Sequence, residues 1–180
     1  MEKNLNPEKN DIDLFITNRS KSIKKSKYKI TPRFHQRYFI NYSLKHFEKG
    51  NNKICWGAVP RSGKSYMIGG LIASKQPKQV VIFLGAVTET NDQFYTMFKE
   101  YSDFDNYNIV DVQKGLVRQV GSSDEVKVGE GYSNISIGPN DRNIVLISQQ
   151  KGWQSSKKKG DDDKLIQILK EKDKIIFFDE

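Results

Sequence analysis

A single cysteine in 180 residues, Cys55, excludes an internal disulfide and fits a reducing compartment. Its place in an apolar run beside Trp56 reads as core packing, not as a nucleophile. Histidine is nearly as scarce: His35 and His46 both fall in a helical pattern, and the lack of any Cys/His cluster excludes a structural metal of that type. No apolar run approaches the roughly 20 residues that a membrane-spanning helix needs. The polar start, Met1-Glu2-Lys3-Asn4, is unlike a secretory signal. These absences predict an intracellular protein, cytoplasmic or nuclear, with no membrane partner.

What remains is an ordinary-sized domain with a basic bias. A content of 36% hydrophobic residues suffices for one core, and the length leaves no room for a second full domain. Lys and Arg outnumber Asp and Glu by 30 to 22, and the formal charge of +8 suits a polyanionic partner such as nucleic acid. Part of the excess lies in Arg19, Lys21, Lys24, Lys25, Lys27 and Lys29, which reads either as a DNA-contacting arm or as a solvated linker. Residues 1–29 are therefore expected to form a polar, basic, partly disordered leader, and residues 30–180 the folded domain.

The strongest local signal is Ala58-Val59-Pro60-Arg61-Ser62-Gly63-Lys64-Ser65, a small residue, four spacers and Gly-Lys-Ser. In a strand-to-helix setting such a loop points peptide N–H groups inward at a helix N-terminus, where the helix dipole favours negative charge. Pro60, Arg61, Ser62 and Gly63 would line the cradle, Lys64 would add a point charge for the β/γ-phosphates, and Ser65 a hydroxyl for Mg2+. The flanks fit, with Lys53 to Gly57 as a short buried strand and Lys64 to Ser74 as a helix carrying Met67, Ile68, Leu71 and Ile72 at helical spacing.

The remaining pattern alternates helices with buried strands. Phe34 to Lys49 reads as a helix with Ile40, Leu44 and Phe47 inward and Gly50 as its stop. Gln79 to Leu84 reads as a strand covered on both faces. A helix with Phe94, Met97, Phe98 and Tyr101 on one face follows, and Thr90 with Gln93 has capping-box spacing. Tyr107 to Val112 suggests a weaker strand, and residues 113 to 141 suggest a hairpin or long loop around Val126, Val128, Ile135 and Ile137. Asn143 to Ser148 restores a buried strand, Lys157 to Asp163 reads as a solvated loop, and Asp163 to Lys172 as a short helix. The last strand, Lys174 to Phe178, runs into Asp179 and Glu180. This order predicts an α/β fold, a P-loop NTPase with a mostly parallel central sheet, whose ligand crevice lies at the carboxyl ends of the strands. Asp179 is then placed to hold Mg2+ with Ser65, and Glu180 to deprotonate the water that attacks the γ-phosphate.

On these motifs the chain resembles the first motor domain of superfamily 2 helicases and translocases, with a DEAD/DEAH-like box. The nearest branch holds the helicase subunits of type I and type III restriction enzymes. Pro32-Arg33-Phe34-His35-Gln36 is similar to the Arg-Pro-x-Gln opening of that family, whose glutamine contacts adenine, which implies Gln36 as the base-reading candidate and Arg33 as a weaker one. The resemblance implies a RecA-like three-layer sandwich, ATP and Mg2+ as ligands, and Lys64 and Glu180 as catalytic residues. It also implies nucleic-acid contacts at Thr88, Thr90, Ser148 and Gln149, with DNA ahead of RNA. Helix capping explains Thr90 almost as well, and a plain strand end explains Ser148.

The family pattern continues beyond Glu180, with a second motor domain and its arginine finger, so the expectation is a C-terminally incomplete domain that binds ATP but turns it over poorly. A nuclease or methyltransferase is the further partner the resemblance implies. Two alternatives stand beside the motor: a non-catalytic nucleotide- or nucleic-acid-binding module, and a P-loop phosphotransferase. Against the second, the chain lacks an Arg-rich lid, and Glu180 favours hydrolysis. The absence of an Asn-Lys-x-Asp motif speaks against a GTPase.

Overall fold

A computed structural model describes residues 27–59, 61–85, 88–122, 124–127, 141–150 and 168–179. The helices fall where apolar spacing places them. Helix α1 (Phe34–Glu48) buries Gln36, Ile40 and Ser43 and half-buries Leu44 and Phe47, and Gly50, at φ +83°, turns the chain away. Helix α2 (Lys64–Lys75) buries Met67, Ile68, Leu71 and Ile72. The two helices pack closely because Gly70 has no side chain: a Cβ there would sit 2.5 Å from Ile40 Cδ1 and 3.1 Å from Pro32 Cγ. Helix α3 (Thr88–Glu100) buries Phe94, Tyr95, Met97 and Phe98. It is already helical at Thr88, so Thr90 lies inside the first turn and the expected Thr90–Gln93 cap is not the helix boundary.

One six-stranded sheet organises these helices. Its strands are β1 (Gln79–Leu84), β2 (Asn108–Asp111), β3 (Leu116–Arg118), β4 (Glu125–Lys127), β5 (Asn143–Ser148) and β6 (Lys174–Asp179), in the order β4-β3-β2-β5-β1-β6. Pairings β2·β5, β5·β1 and β1·β6 are parallel, and β3 and β4 extend the sheet as an antiparallel meander. This mostly parallel sheet with its helices is a RecA-like P-loop architecture. The weak strand expected from Tyr107 is β2, and the expected hairpin is β3–β4 with an exposed Val126. Val128, Ile135 and Ile137 lie outside the described residues.

Alternate residues of β1, β2 and β5 feed two cores. Val80, Ile82, Leu84, Ile109, Ile144 and Leu146 meet α2 and α3 on one face. Val81, Val110, Val145 and Ile147 meet Ile168 and Leu169 on the other, where residues 168 to 170 are helical. Of the helix expected over 163–172, residues 163 to 167 lie outside the description, as do the Lys157 to Asp163 block and most of the leader. At the strand starts, a row of amides crosses the sheet. Asn108 Nδ2 donates to Asn143 Oδ1 (3.0 Å), Asn143 Nδ2 to Gln79 Oε1 (2.9 Å), and Gln79 Nε2 to the Asp141 carbonyl (2.7 Å).

The expected strand over Lys53 to Gly57 does not form. Its residues pair with no strand among those described, and their exposure alternates, with Ile54 and Trp56 half-buried and Cys55 and Gly57 exposed. Cys55 is therefore a surface thiol and not a core residue. The reason is one-sided packing. Trp56 meets the rings of Phe39 and Phe177, with centroids 6.3 and 6.4 Å away, and donates its indole N–H to Ser43 Oγ at 2.9 Å. Side-chain contacts thus hold the segment beside β6 without a backbone ladder.

Candidate active site

The loop before α2 bends through two left-handed residues, Arg61 (φ +63°) and Gly63 (φ +78°), on either side of Ser62. Left-handed turns of this kind gather peptide N–H groups into an anion-binding concavity. Arg61 does so at a cost of about 1–2 kcal/mol, because its Cβ crowds the following carbonyl. The Ser62 N–H donates to the Val59 carbonyl at 3.3 Å, and the Met67 N–H to the Gly63 carbonyl at 3.0 Å, so Gly63 opens the α2 ladder. Lys64 and Ser65 are the first helical residues and both remain half-exposed. Pro60 lies outside the described residues.

Helix α1 braces this loop. Gln36 Oε1 accepts the backbone N–H of Arg33 at 2.8 Å, one arm of a capping box, while Gln36 Nε2 donates to the Ser62 carbonyl at 3.3 Å. His35, with Nε2 as its protonated nitrogen, donates to the same carbonyl at 3.2 Å. A Cβ on Gly63 would lie only 2.5 Å from Gln36 Nε2, so position 63 needs glycine for space as well as for φ. The expected base-reading glutamine is thus largely occupied in holding the loop, and Arg33 is exposed at the helix start. The helical pattern around His35 gives no sign of this loop contact. The signal available was its position beside Gln36 in the turn that precedes the loop.

Two observations show what the cradle is suited to hold. Ser62 Oγ is buried and has no hydrogen-bond partner among the described residues, which is costly unless a ligand supplies one. Across the gap, Asp179 ends β6 in register with Leu84, and its carbonyl accepts the Gly85 N–H at 3.1 Å. Burial pushes the Asp179 carboxyl above its ordinary value, and the positive charge of Lys64 pulls it back down. Glu180 lies outside the described residues.

The register also places Ser148 beside Leu84, so Asp179, Leu84 and Ser148 form one row of strand ends. Ser148 itself is buried, while Gln149 is exposed at the start of a helical turn. Thr90 is half-buried in the first turn of α3, and of Thr88 only the backbone is described. Further along this edge, Asp111 at the end of β2 is buried. It accepts from Asn91 Nδ2 (2.6 Å) and from the backbone N–H groups of Gln113 (2.9 Å) and Lys114 (3.1 Å). These bonds tie α3 to the sheet and account for Asp111 as a structural carboxylate. No group of three or more His, Cys, Asp or Glu among the described residues is placed to hold a metal. No helix among the described residues is long and apolar enough to cross a membrane.

A protein family described as "Type III restriction enzyme, res subunit" matches residues 29–180. No curated protein and no solved structure matches the chain.

Proposed function

Because the chain belongs to the type III restriction enzyme res-subunit family, a family of superfamily 2 helicase-type ATPase motor domains, we propose that it is the ATP-binding half of a nucleic-acid-dependent ATPase. The observation that carries this reading is the left-handed loop at Arg61 and Gly63 that opens α2 with Lys64 and Ser65 and leaves the buried Ser62 Oγ with no hydrogen-bond partner among the described residues. In this reading Ser62, Gly63, Lys64 and the other loop residues Pro60 and Arg61 hold the phosphates of ATP. Ser65 and Asp179 hold Mg2+, which, when bound, offsets phosphate charge and favours departure of the leaving group. Glu180 orients the attacking water and takes its proton. Gln36 keeps the loop in shape and, with Arg33, borders the base. Thr88, Thr90, Ser148 and Gln149 line the strand-end edge on which a nucleic-acid backbone, DNA ahead of RNA, would lie.

Coupling between those two sites is the proposed activity: nucleotide state sets the grip on the strand. A second motor domain and a nuclease or methyltransferase are the proposed partners. The 180-residue chain alone is proposed to bind ATP and to release phosphate slowly, since the arginine finger of the second motor domain is not among these residues. The test is phosphate release by the chain joined to that second domain, with and without single-stranded DNA or RNA. Stimulation lost in Lys64→Ala and in Glu180→Gln, with ATP still bound by Glu180→Gln in calorimetry, supports the reading. Stimulated release that survives Lys64→Ala overturns it. Binding without release in every case favours the non-catalytic module, and phosphate transfer to nucleosides favours a phosphotransferase.

A further inference from the structure

The outward face of α1 carries a feature that the nucleotide site does not use. Phe34, Tyr38 and Tyr42 are 81%, 63% and 54% exposed, although aromatic side chains of this size normally gain most by burial. With His46 they recur every fourth residue and so form one stripe along the helix. The Tyr38 and Tyr42 rings are nearly parallel, 6.5 Å between centroids and 18° between planes, and Tyr42 and His46 continue the stack at 6.1 Å and 19°. Gln36, Ile40 and Ser43 face the interior, so the stripe has no part in holding α1 to α2.

A second stripe runs beside the first. Arg37, Asn41, Lys45 and Lys49 each follow a ring residue by three positions, which makes them its neighbours on the helix surface. Arg37, Lys45 and Lys49 are exposed and form no ion pair with another described residue. Glu48 is the one acidic residue in α1. A row of flat rings flanked by a row of unpaired cations is complementary to a chain that offers flat faces on one side and negative charge on the other. A single nucleic-acid strand has that form. A duplex does not, because its base faces are already stacked.

We infer that the Tyr38–Tyr42 face of α1 is a second nucleic-acid surface, which takes a single-stranded segment by stacking bases on the rings while Arg37, Lys45 and Lys49 neutralise its phosphates. It rests on the proposed function only in that the partner is nucleic acid. The face is built from α1 and not from the strand ends, and the proposal needs no nucleotide.

The test uses the 180-residue chain without ATP and a fluorescent oligothymidylate, read by anisotropy, with a duplex of equal length beside it. Tyr38→Leu/Tyr42→Leu is expected to weaken single-strand binding about tenfold or more, and Tyr38→Phe/Tyr42→Phe to leave it nearly unchanged. Both sites are exposed, and circular dichroism checks that the variants fold. Photocrosslinking with 5-iodouracil in the strand is expected to label Tyr38 or Tyr42. Unchanged binding in the Leu variant, equal affinity for duplex, or crosslinks only elsewhere overturns the inference. So does self-association that the Leu variant abolishes while strand binding persists, an outcome that would make the face a contact between copies. No nucleic-acid stimulation of ATPase in the unaltered protein, with crosslinks to Tyr38 or Tyr42 intact, sinks the ATPase reading alone, and the converse result sinks this one alone.

Discussion

Gln36 and Ser62, 26 residues apart in the chain, are joined by a hydrogen bond from the glutamine amide to the serine carbonyl, 3.3 Å long. The same side chain accepts the Arg33 N–H, so one residue fixes the start of α1 and the shape of the phosphate loop together. Gln36→Ala should destabilise the fold by about 1–3 kcal/mol in urea melts, since it leaves partly buried partners unmet. It should also weaken ATP binding in calorimetry. Gln36→Glu keeps the acceptor for Arg33 but sets a carboxylate against a carbonyl, so its ATP affinity should fall as well. An affinity equal to wild type in both variants would show that the loop holds its shape without this brace.

Gly63→Ala is a sharper test of the cradle. The left-handed backbone costs an alanine about 1–2 kcal/mol, and its methyl would press on the Gln36 amide. Melting should shift accordingly, and nucleotide binding should drop below detection even where the protein remains folded at low temperature.

The Asp179 carboxyl supplies a pH prediction with a definite sign. Burial raises its folded pKa above the ordinary 3.8, against the pull of Lys64. The native state therefore holds this proton to higher pH than the unfolded chain does. The group's contribution to stability is full below the unfolded pKa and is lost as pH rises through the folded one. Asp179→Asn should flatten that decline when urea stability is measured across a pH series. Lys64→Met removes the opposing charge, so the decline should move to higher pH. Superimposed profiles for Lys64→Met and wild type would mean that the two groups do not share a site.

At the opposite end of the sheet, Asn143 sits between Asn108 and Gln79 in the buried amide row. Asn143→Leu deprives Asn108 of this acceptor and Gln79 of this donor, and should cost about 2–4 kcal/mol of stability. Because Gln79 and Leu84 lie at opposite ends of β1, and Leu84 is the one in register with Asp179, ATP affinity at low temperature should be nearly unaffected.

Cys55 should react with a thiol reagent in the native protein, one equivalent per chain and without denaturant, because it is exposed. Protection until unfolding would restore it to the core.

Elements with a repeating apolar pattern were readable from spacing alone. Phe94, Met97 and Phe98 bury one face of α3, and the runs from Gln79 and Asn143 become fully or nearly fully buried parallel strands. The segment around Cys55 misled because five residues of mixed character look alike whether one face or two will be covered. Which it was depended on Trp56 meeting Phe39 and Phe177 from other parts of the chain. At the site, Lys64, Ser65 and Asp179 were legible as motif residues. The brace from Gln36 and His35 to Ser62 was not, since residue identity does not reveal which side of a helix faces a loop 26 residues later.

By itself, then, the sequence determined the chemistry on offer: a glycine able to turn left-handed, a lysine and serine at a helix start, and a carboxylate at a strand end. Local periodicity and residue type suffice for that because they act over a few positions. Tertiary structure alone decided that Asp179 ends β6 in register with Leu84, that Ser62 Oγ is buried with no partner among the described residues, and that the tyrosines of α1 stay in solvent. Each of those depends on how separate segments pack in three dimensions, and packing is set by the whole core at once.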